Sequence, residues 1–380
     1  YFRMYQVDMK NITTSLAIDL FNGNWFINSQ IEFADEAIQY SGNFGLSLYA
    51  SKISNCNSGV IFGSTQELSV KGATNFTNVQ NAIQVYVASG IEISDSFFYN
   101  IPHPLLIVIE GNLDLYDTVF ENCGLSILQT EELSSIEDIN VIGNLESSLF
   151  EISGHWDIRG NFENISVNGD GGVFSLFGGS TSNFDFSSTS FTNIQATGNG
   201  GAIYSEGSDI RVSQTTFTNC SANNGGAIYS LGGFATLSFS TFENCNSNNG
   251  GAIYLKDTAD VYINNCQFMN NTVAYYGGGI YFESSSSENA IIDSVNFTSN
   301  YAINGAAISC CGNSSSCGYT ISQNNYINLE DNYNSANSSK DISCEYYTPP
   351  PPPPTNENGN EDDGFSLEQI LLISFVSLVG

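Results

Sequence analysis

The word Gly-Gly-Ala-Ile-Tyr starts at Gly200, Gly225 and Gly250, with degenerate copies from Gly171, Gly277 and Gly305, so successive starts lie 29, 25, 25, 27 and 28 residues apart. A second word keeps phase with it. Phe162, Phe191, Phe217, Phe242 and Phe268 each open a Phe-x-Asn triplet, and Phe297 opens the variant Phe-Thr-Ser. Self-similarity at this period restricts the chain to architectures that stack one short unit many times. A unit this short cannot bury a core alone; its neighbours must cover its apolar face.

Upstream of the phenylalanines the sequence alternates. Ile91 and Ile93 precede Phe98, Leu113 and Leu115 precede Phe120, and the same spacing recurs at Phe184/Phe186, Ile210/Val212 and Val261/Ile263. The second apolar residue always stands five positions before the Phe, and period-two alternation marks a strand with one buried face. In the N-terminal part the glycine word is missing, but Phe76, Phe98 and Phe120 recur at steps of 22 residues. No helical period survives in these segments. Each unit reads as strand, bend, Phe, Asn-rich turn and second strand. Stacked, such units give an all-β, right-handed parallel β-helix, a solenoid of coils 22–29 residues long. With rungs ~4.8 Å apart, a dozen such coils would form a rod on the order of 55–60 Å long.

The glycine word reads as scaffold. Two glycines suit a tight corner where backbones come close, the following Ala suits a narrow inward position, and Ile fills the core. A phosphate-cradling loop would need a following helix and usually a Lys, and neither is present. Phe162, Phe191, Phe217, Phe242, Phe268 and Phe297 read as a stacked internal ladder. The Asn that follows reads as a corner residue bonding its own backbone or the Asn of the next coil.

Composition sets the limits on partners. The 380 residues include 20 Tyr and 26 Phe, ample material for a continuous core. Only 8 Lys and Arg stand against 39 Asp and Glu. A net charge of −31 repels nucleic acid, anionic lipid and polyanionic substrates.

The paired words from Phe217 to Tyr229, FTNCSANNGGAIY, and from Phe242 to Tyr254, FENCNSNNGGAIY, resemble the F-x-x-N and G-G-A-I repeats of the polymorphic outer-membrane protein family of chlamydiae, within the pectin-lyase-like β-helix superfamily. The resemblance covers about residues 160–312. Here the Asn mostly falls two positions after Phe, whereas Phe268 to Asn271 and Phe297 to Asn300 keep the family spacing of three. The resemblance implies a surface-displayed rod, often adhesive. No C-terminal transporter barrel is visible in the sequence.

For an enzyme of that superfamily, the resemblance would bring an Asp trio with Gly-His-Gly and Arg-x-Lys, or calcium-binding Asp residues beside a basic residue. Neither set is found. His103 stands between Pro102 and Pro104, His155 lies in SGHWD without the second glycine, and Arg159, Arg211 and Lys256 belong to different coils. The reading is therefore non-enzymatic, with no catalytic, cofactor-binding or metal residue assigned. The alternative is a carbohydrate-active β-helix enzyme, a polysaccharide lyase or a glycoside hydrolase using two of the acids. Asp170, Asp257 and Asp260 offer hard oxygen ligands on turns, but read first as solvated turn acids. Tyr275 and Tyr276 offer a turn surface for glycan binding, or else the end of a packing ladder.

Cysteines and sequons indicate a secretory compartment. Cys220 and Cys245 fall in the same slot of adjacent repeats, with Cys123 in that slot further upstream, and the spacing suits either a bridge or a stack of buried thiols. Cys310, Cys311, Cys317 and Cys344 cluster where the repeat decays, pointing to a disulfide-tied cap. Sequons at Asn11, Asn75, Asn164, Asn219, Asn270, Asn296, Asn313 and Asn337 are potential glycosylation sites. The chain opens on Tyr1 with no leader, as expected for a processed precursor or a fragment.

Five segments follow: N-terminal coils over 1–160, coils with both words over 161–312, a Cys-containing cap over 313–347, a Pro-rich and acidic linker over 348–364, and an apolar segment over 365–380. Pro349 to Pro354 form a stiff spacer, and the run from Ile370 to Gly380 begins a transmembrane helix or belongs to a lipid-anchor signal. The whole reads as a cell-surface extracellular rod, structural or adhesive. Its expected partners are a surface glycan or protein and, through the C-terminal segment, the membrane.

Overall fold

The computed structural model describes residues 2–5, 8–12, 17–18, 24–142, 144–145, 148–284, 288–310, 319–323, 327–334 and 341–344. Cys311, Cys317, Asn313, Asn337, the Pro-rich linker and the apolar segment lie outside the described residues.

The chain forms a parallel β-solenoid with three strands per coil, the upper end of the two or three short strands expected for units of 22–29 residues. In one coil, Asp209–Ser213 and Thr216–Thr218 lie on two faces of one 20-stranded sheet, the first and second sheets having merged by this point, and Ile228–Leu231 lies in a third. The extra strand is the Phe word itself, extended on the rung instead of bending past it. The third sheet runs through 14 strands, from Ala17–Ile18 to Ile342–Ser343. The first two sheets are separate in the N-terminal coils. They merge where His155–Val167 and Asn183–Ala196, 13 and 14 residues long, pass through the corner as single strands with a register shift at Ile158/Gly160. A fourth, short sheet forms on the widened Asn-rich turn, from Asn246–Asn249 through Thr272–Tyr276 and Tyr301–Ala302 to Tyr333–Asn334.

Alternation explains the core. Ile210 and Val212 point inward while Arg211 is exposed, and one rung on Ala235 and Leu237 are buried beneath half-exposed Thr236 and Ser238. Parallel in-register pairing puts identical residues above one another: Phe191, Phe217, Phe242 and Phe268 pair in sequence. Their rings stack with centroids 4.9, 4.8 and 4.8 Å apart, continuing to Phe297 at 4.8 Å and back to Phe162 at 5.2 Å. A separate ladder joins Phe76, Phe98 and Phe120 at 5.0 and 4.9 Å. Val141 occupies the slot after Phe120 and ends it.

Two corners use polar residues for shape. The Asn two positions after the ladder Phe adopts left-handed backbone, as at Asn193 (φ 56), Asn219 (φ 55), Asn244 (φ 55) and Asn270 (φ 55). Asn tolerates this conformation best among residues with a Cβ. Side chains then link coil to coil: Asn219 Nδ2 donates to Asn193 Oδ1 at 2.9 Å, and Asn193 Nδ2 to Asn164 Oδ1 at 2.9 Å.

The residue after it turns inward. That slot holds Cys123, Cys220 and Cys245 and, where the F-x-x-N spacing is kept, Asn271 and Asn300, all buried. Asn271 Nδ2 donates to Phe242 O at 3.0 Å and to Asn300 Oδ1 at 2.9 Å, while its Oδ1 accepts from the Cys245 N–H at 2.9 Å. The buried amide is thereby satisfied, as burial requires.

Of the two arrangements open for Cys220 and Cys245, the structure shows free buried thiols, as it does for Cys56, Cys123 and Cys266. Burial raises the Cys123 thiol to about 12 and the Cys266 thiol to about 11, so these are inert packing groups at neutral pH. Cys310 is bonded to Cys344 with Cα atoms 4.9 Å apart, tying the paired strands Ile308–Cys310 and Ile342–Ser343.

Candidate functional site

With the inward rows committed to packing, any site must lie on outward rows or corners. The Tyr of the glycine word makes the most ordered outward feature, one that the sequence reading passed over although Tyr recurs in four coils. Tyr204, Tyr229 and Tyr254 stack with centroids 5.5 and 4.9 Å apart, and Tyr281 continues the row at 4.9 Å with its ring tilted by 56°. Phe177 covers one end at 6.2 Å and Tyr276 the other at 6.0 Å. Their ring faces are thus occupied by one another. Tyr276 belongs to this ladder, while Tyr275 remains exposed on the turn.

Hydroxyl edges of the ladder meet carboxylates. Tyr204 Oη donates to Glu206 Oε2 at 3.1 Å and Tyr254 Oη donates to Glu283, which also lies 3.4 Å from Lys256 Nζ. Burial, with Glu283 adding repulsion, pushes Tyr229 and Tyr281 up to about 12. Tyr204 and Tyr254 are shifted in the same direction, burial again the main cause.

This predicts an alkaline weakness. Unfolded tyrosines release protons near pH 10, whereas the folded ladder holds them. Below pH 10 both states keep the proton and the ladder's contribution is intact; between pH 10 and about 12 the unfolded chain is selectively favoured and stability falls. Denaturant midpoints should drop across that window, and a Tyr229→Phe/Tyr281→Phe variant should drop less. An equal fall in both proteins would sink the assignment.

The cations singled out in the sequence are paired with acids on outer faces. Arg159 Nη1 lies 3.7 Å from Glu137 Oε1 and Arg211 Nη1 lies 3.7 Å from Asp185 Oδ2. His103 opens a strand of the third sheet and His155 one of the first. The structure brings none of these five residues into one cluster. Two carboxylate pairs are register partners on the first sheet among the described residues, Glu92 with Asp114 and Asp157 with Asp185. Burial raises Asp185, Arg211 opposes that, and Asp157 adds to it.

The suggested calcium ligands are engaged locally. Asp170 Oδ1 accepts from the Asn199 N–H, and Asp257 Oδ1 accepts from Ser284 Oγ at 2.9 Å. Among the described residues no group of three or more His, Cys, Asp or Glu is arranged to hold a metal ion. Of the sequons, Asn164, Asn219 and Asn270 stand exposed at left-handed corners, Asn75 is half-buried on the separate second sheet and Asn296 on the merged one, and Asn11 lies on the strand Asp8–Ile12.

Two corner hollows are wide and shallow. One of about 540 Å³ is walled by Phe33, Asn55, Asn78 and Asn100, and one of about 520 Å³ by Tyr86, Val87, Glu110 and Glu132. Neither contains the paired carboxylates or any of the five cationic candidates.

Comparison with known families matches two segments, residues 188–206 and 265–283, to the Chlamydia polymorphic membrane protein repeat. Each runs from a ladder Phe through the glycine corner to the outward Tyr, which is the structural unit described above. No curated protein and no solved structure matches the chain. The chain is a parallel β-solenoid, two of whose coils match the polymorphic membrane protein repeat.

Proposed function

We propose that this protein is a cell-surface rod with an adhesive or structural role, held at the membrane by its C-terminal segment and acting without catalysis. The carrying observation is that the repeat matched to a membrane-protein family is also the packing unit of the solenoid. A stack of such coils supplies a long rigid surface whose outward residues vary from coil to coil while the interior stays constant. Solenoids use surfaces of this kind for binding.

Anchoring follows from the order of the tail: a Pro run that extends at about 3.1 Å per residue, an acidic stretch, then an apolar run. Antibody labelling of intact cells should detect the solenoid without permeabilisation. Deleting residues 365–380 should release a folded protein into the medium, and retention of that truncated protein on membranes would overturn the anchor. Beads coated with the truncated protein should attach to cells or matrix.

The register pair Asp157/Asp185 favours the alternative, a glycoside hydrolase, more than Glu92/Asp114, whose carboxylates are held by Lys71, Tyr116, Asn112 and Ser135. Turnover of neutral polysaccharide that disappears in Asp185→Asn would establish catalysis in place of binding alone.

A further inference from the structure

Three aromatic side chains stand in the open on the first sheet within two adjacent coils: Phe234, Phe239 and Tyr262, at 44%, 63% and 37% exposure. Ala235–Ser238 and Val261–Asn264 are register partners, with Thr236 beside Tyr262 and Ser238 beside Asn264. Phe234 and Phe239 flank the first of these strands, so they lie five residues apart, roughly 17 Å along the strand. Tyr262 sits between them, one rung away.

Phe239 occupies left-handed backbone at φ 50, where the same corner of neighbouring coils carries Gln214, Asn265 and Ser294. A bulky side chain there is an outlier, and this one is also the most exposed large apolar side chain in the two coils. Neither packing nor backbone preference accounts for it. Strain without structural return points to function. Phe234 is likewise presented by a corner, Gly232-Gly233, and its N–H is held by Asp209 Oδ1 at 3.1 Å.

Between the rings the outward side chains are Thr236, Ser238 and Asn264, all uncharged, with Asn264 Nδ2 donating to Tyr262 Oη at 3.2 Å. The bordering charges are Asp209 and Asp260, level with Phe234 on the rungs before and after it, Arg211 one rung behind Thr236 and paired with Asp185 on the rung before, and Asp293 beyond Asn264. An aromatic surface bordered by acids on a protein of net charge −31 repels anions at long range, and its one neighbouring cation, Arg211, is already paired with Asp185. Open ring faces with a few neutral hydrogen-bonding groups suit a ligand with apolar C–H faces and many hydroxyls. The tyrosine ladder cannot serve in this way, because its faces are already covered.

We propose that Phe234, Phe239 and Tyr262 form a binding platform for a short neutral oligosaccharide, lying along two adjacent rungs of the first sheet. This assignment rests on the adhesive reading above and names its ligand class.

The test uses the full chain on beads against an array of neutral tetrasaccharides of glucose, N-acetylglucosamine, mannose and galactose, beside sulfated heparin chains, with cell attachment measured in parallel. Phe239→Asn and Tyr262→Thr place residues already used at equivalent positions, so folding should survive, and thermal melting checks this. At least tenfold weaker binding of a neutral glycan by both variants, with melting unchanged or raised in Phe239→Asn, is the expected result. Neutral-glycan binding equal in parent and variants would overturn the platform while leaving adhesion standing. Cell attachment lost in the variants without glycan binding by the parent would assign the patch to a protein partner and overturn the glycan class, as would preference for heparin. Absence of both glycan binding and attachment in the parent would overturn the adhesive reading itself.

Discussion

A Gly251→Ala variant should lose at least about 3 kcal/mol of stability or fail to fold, the upper range of overpacking effects. A Cβ built on Gly251 would lie 2.1 Å from the carbonyl oxygen of Gly278 on the next coil and 3.1 Å from a Val273 methyl. The obstructing atom is backbone, and the carbonyls on either side of it are held by the Gly251 N–H to Gly277 O bond at 2.9 Å and the Ala252 N–H to Gly279 O bond at 3.1 Å, so it cannot swing aside as a side chain would. Relief requires separating two coils, which breaks ladder bonds along a whole rung. Its predecessor Gly250 fails for a different reason, since φ 62 places it in left-handed backbone and a Cβ would meet Ile253 O at 2.2 Å. Gly169 supplies the control, because a Cβ there meets nothing within 4 Å. Urea unfolding of both variants decides the matter: if Gly251→Ala is as stable as Gly169→Ala, close approach of the coils is not the reason for the second glycine.

These contacts show which parts of the fold could be read from the sequence. The inward rows were legible because parallel stacking repeats one chemical requirement at every coil: Phe217, Phe242 and Phe268 answer the same packing slot, and the period exposes them. Cys245 and Asn271 were harder. They share one inward slot, but one is a thiol and the other an amide whose hydrogen bonds run to Phe242 O and Asn300, so letters differ where geometry agrees. The tyrosine ladder is written in the repeat word, but the period alone does not say that outward rings one coil apart cover one another. Phe234, Phe239 and Tyr262 fall on three different positions of the coil, and no period can reveal a cluster made by one coil's departure from its neighbours. Phe239 in particular looks like core in a one-dimensional reading and is the reverse in three dimensions.

Phe242→Ala should cost about 3–5 kcal/mol, the range for truncating a buried aromatic side chain. Phe242 is fully buried in the middle of a stack, 4.8 Å from Phe217 on one side and 4.8 Å from Phe268 on the other. The variant loses the transfer energy of the ring, leaves a cavity between two rings, and removes two stacking contacts worth about 0.5–1.5 kcal/mol each within that total. The neighbouring rungs cannot collapse into the space, since backbone hydrogen bonds on all three sheets fix their separation. Position in the chain adds a second signature. A solenoid couples each coil only to its neighbours, so a hole at a central rung weakens communication between the coils before and after it. Denaturation followed by separate probes in the N-terminal and C-terminal coils should therefore split into two transitions in Phe242→Ala and remain coincident in the parent. Phe242→Leu keeps most of the volume and should lose only about 1.5 kcal/mol, in line with Val141 filling the equivalent slot beside Phe120. A loss below about 1 kcal/mol in Phe242→Ala, with a single coincident transition, would mean that the phenylalanine ladder accompanies the fold without holding it together.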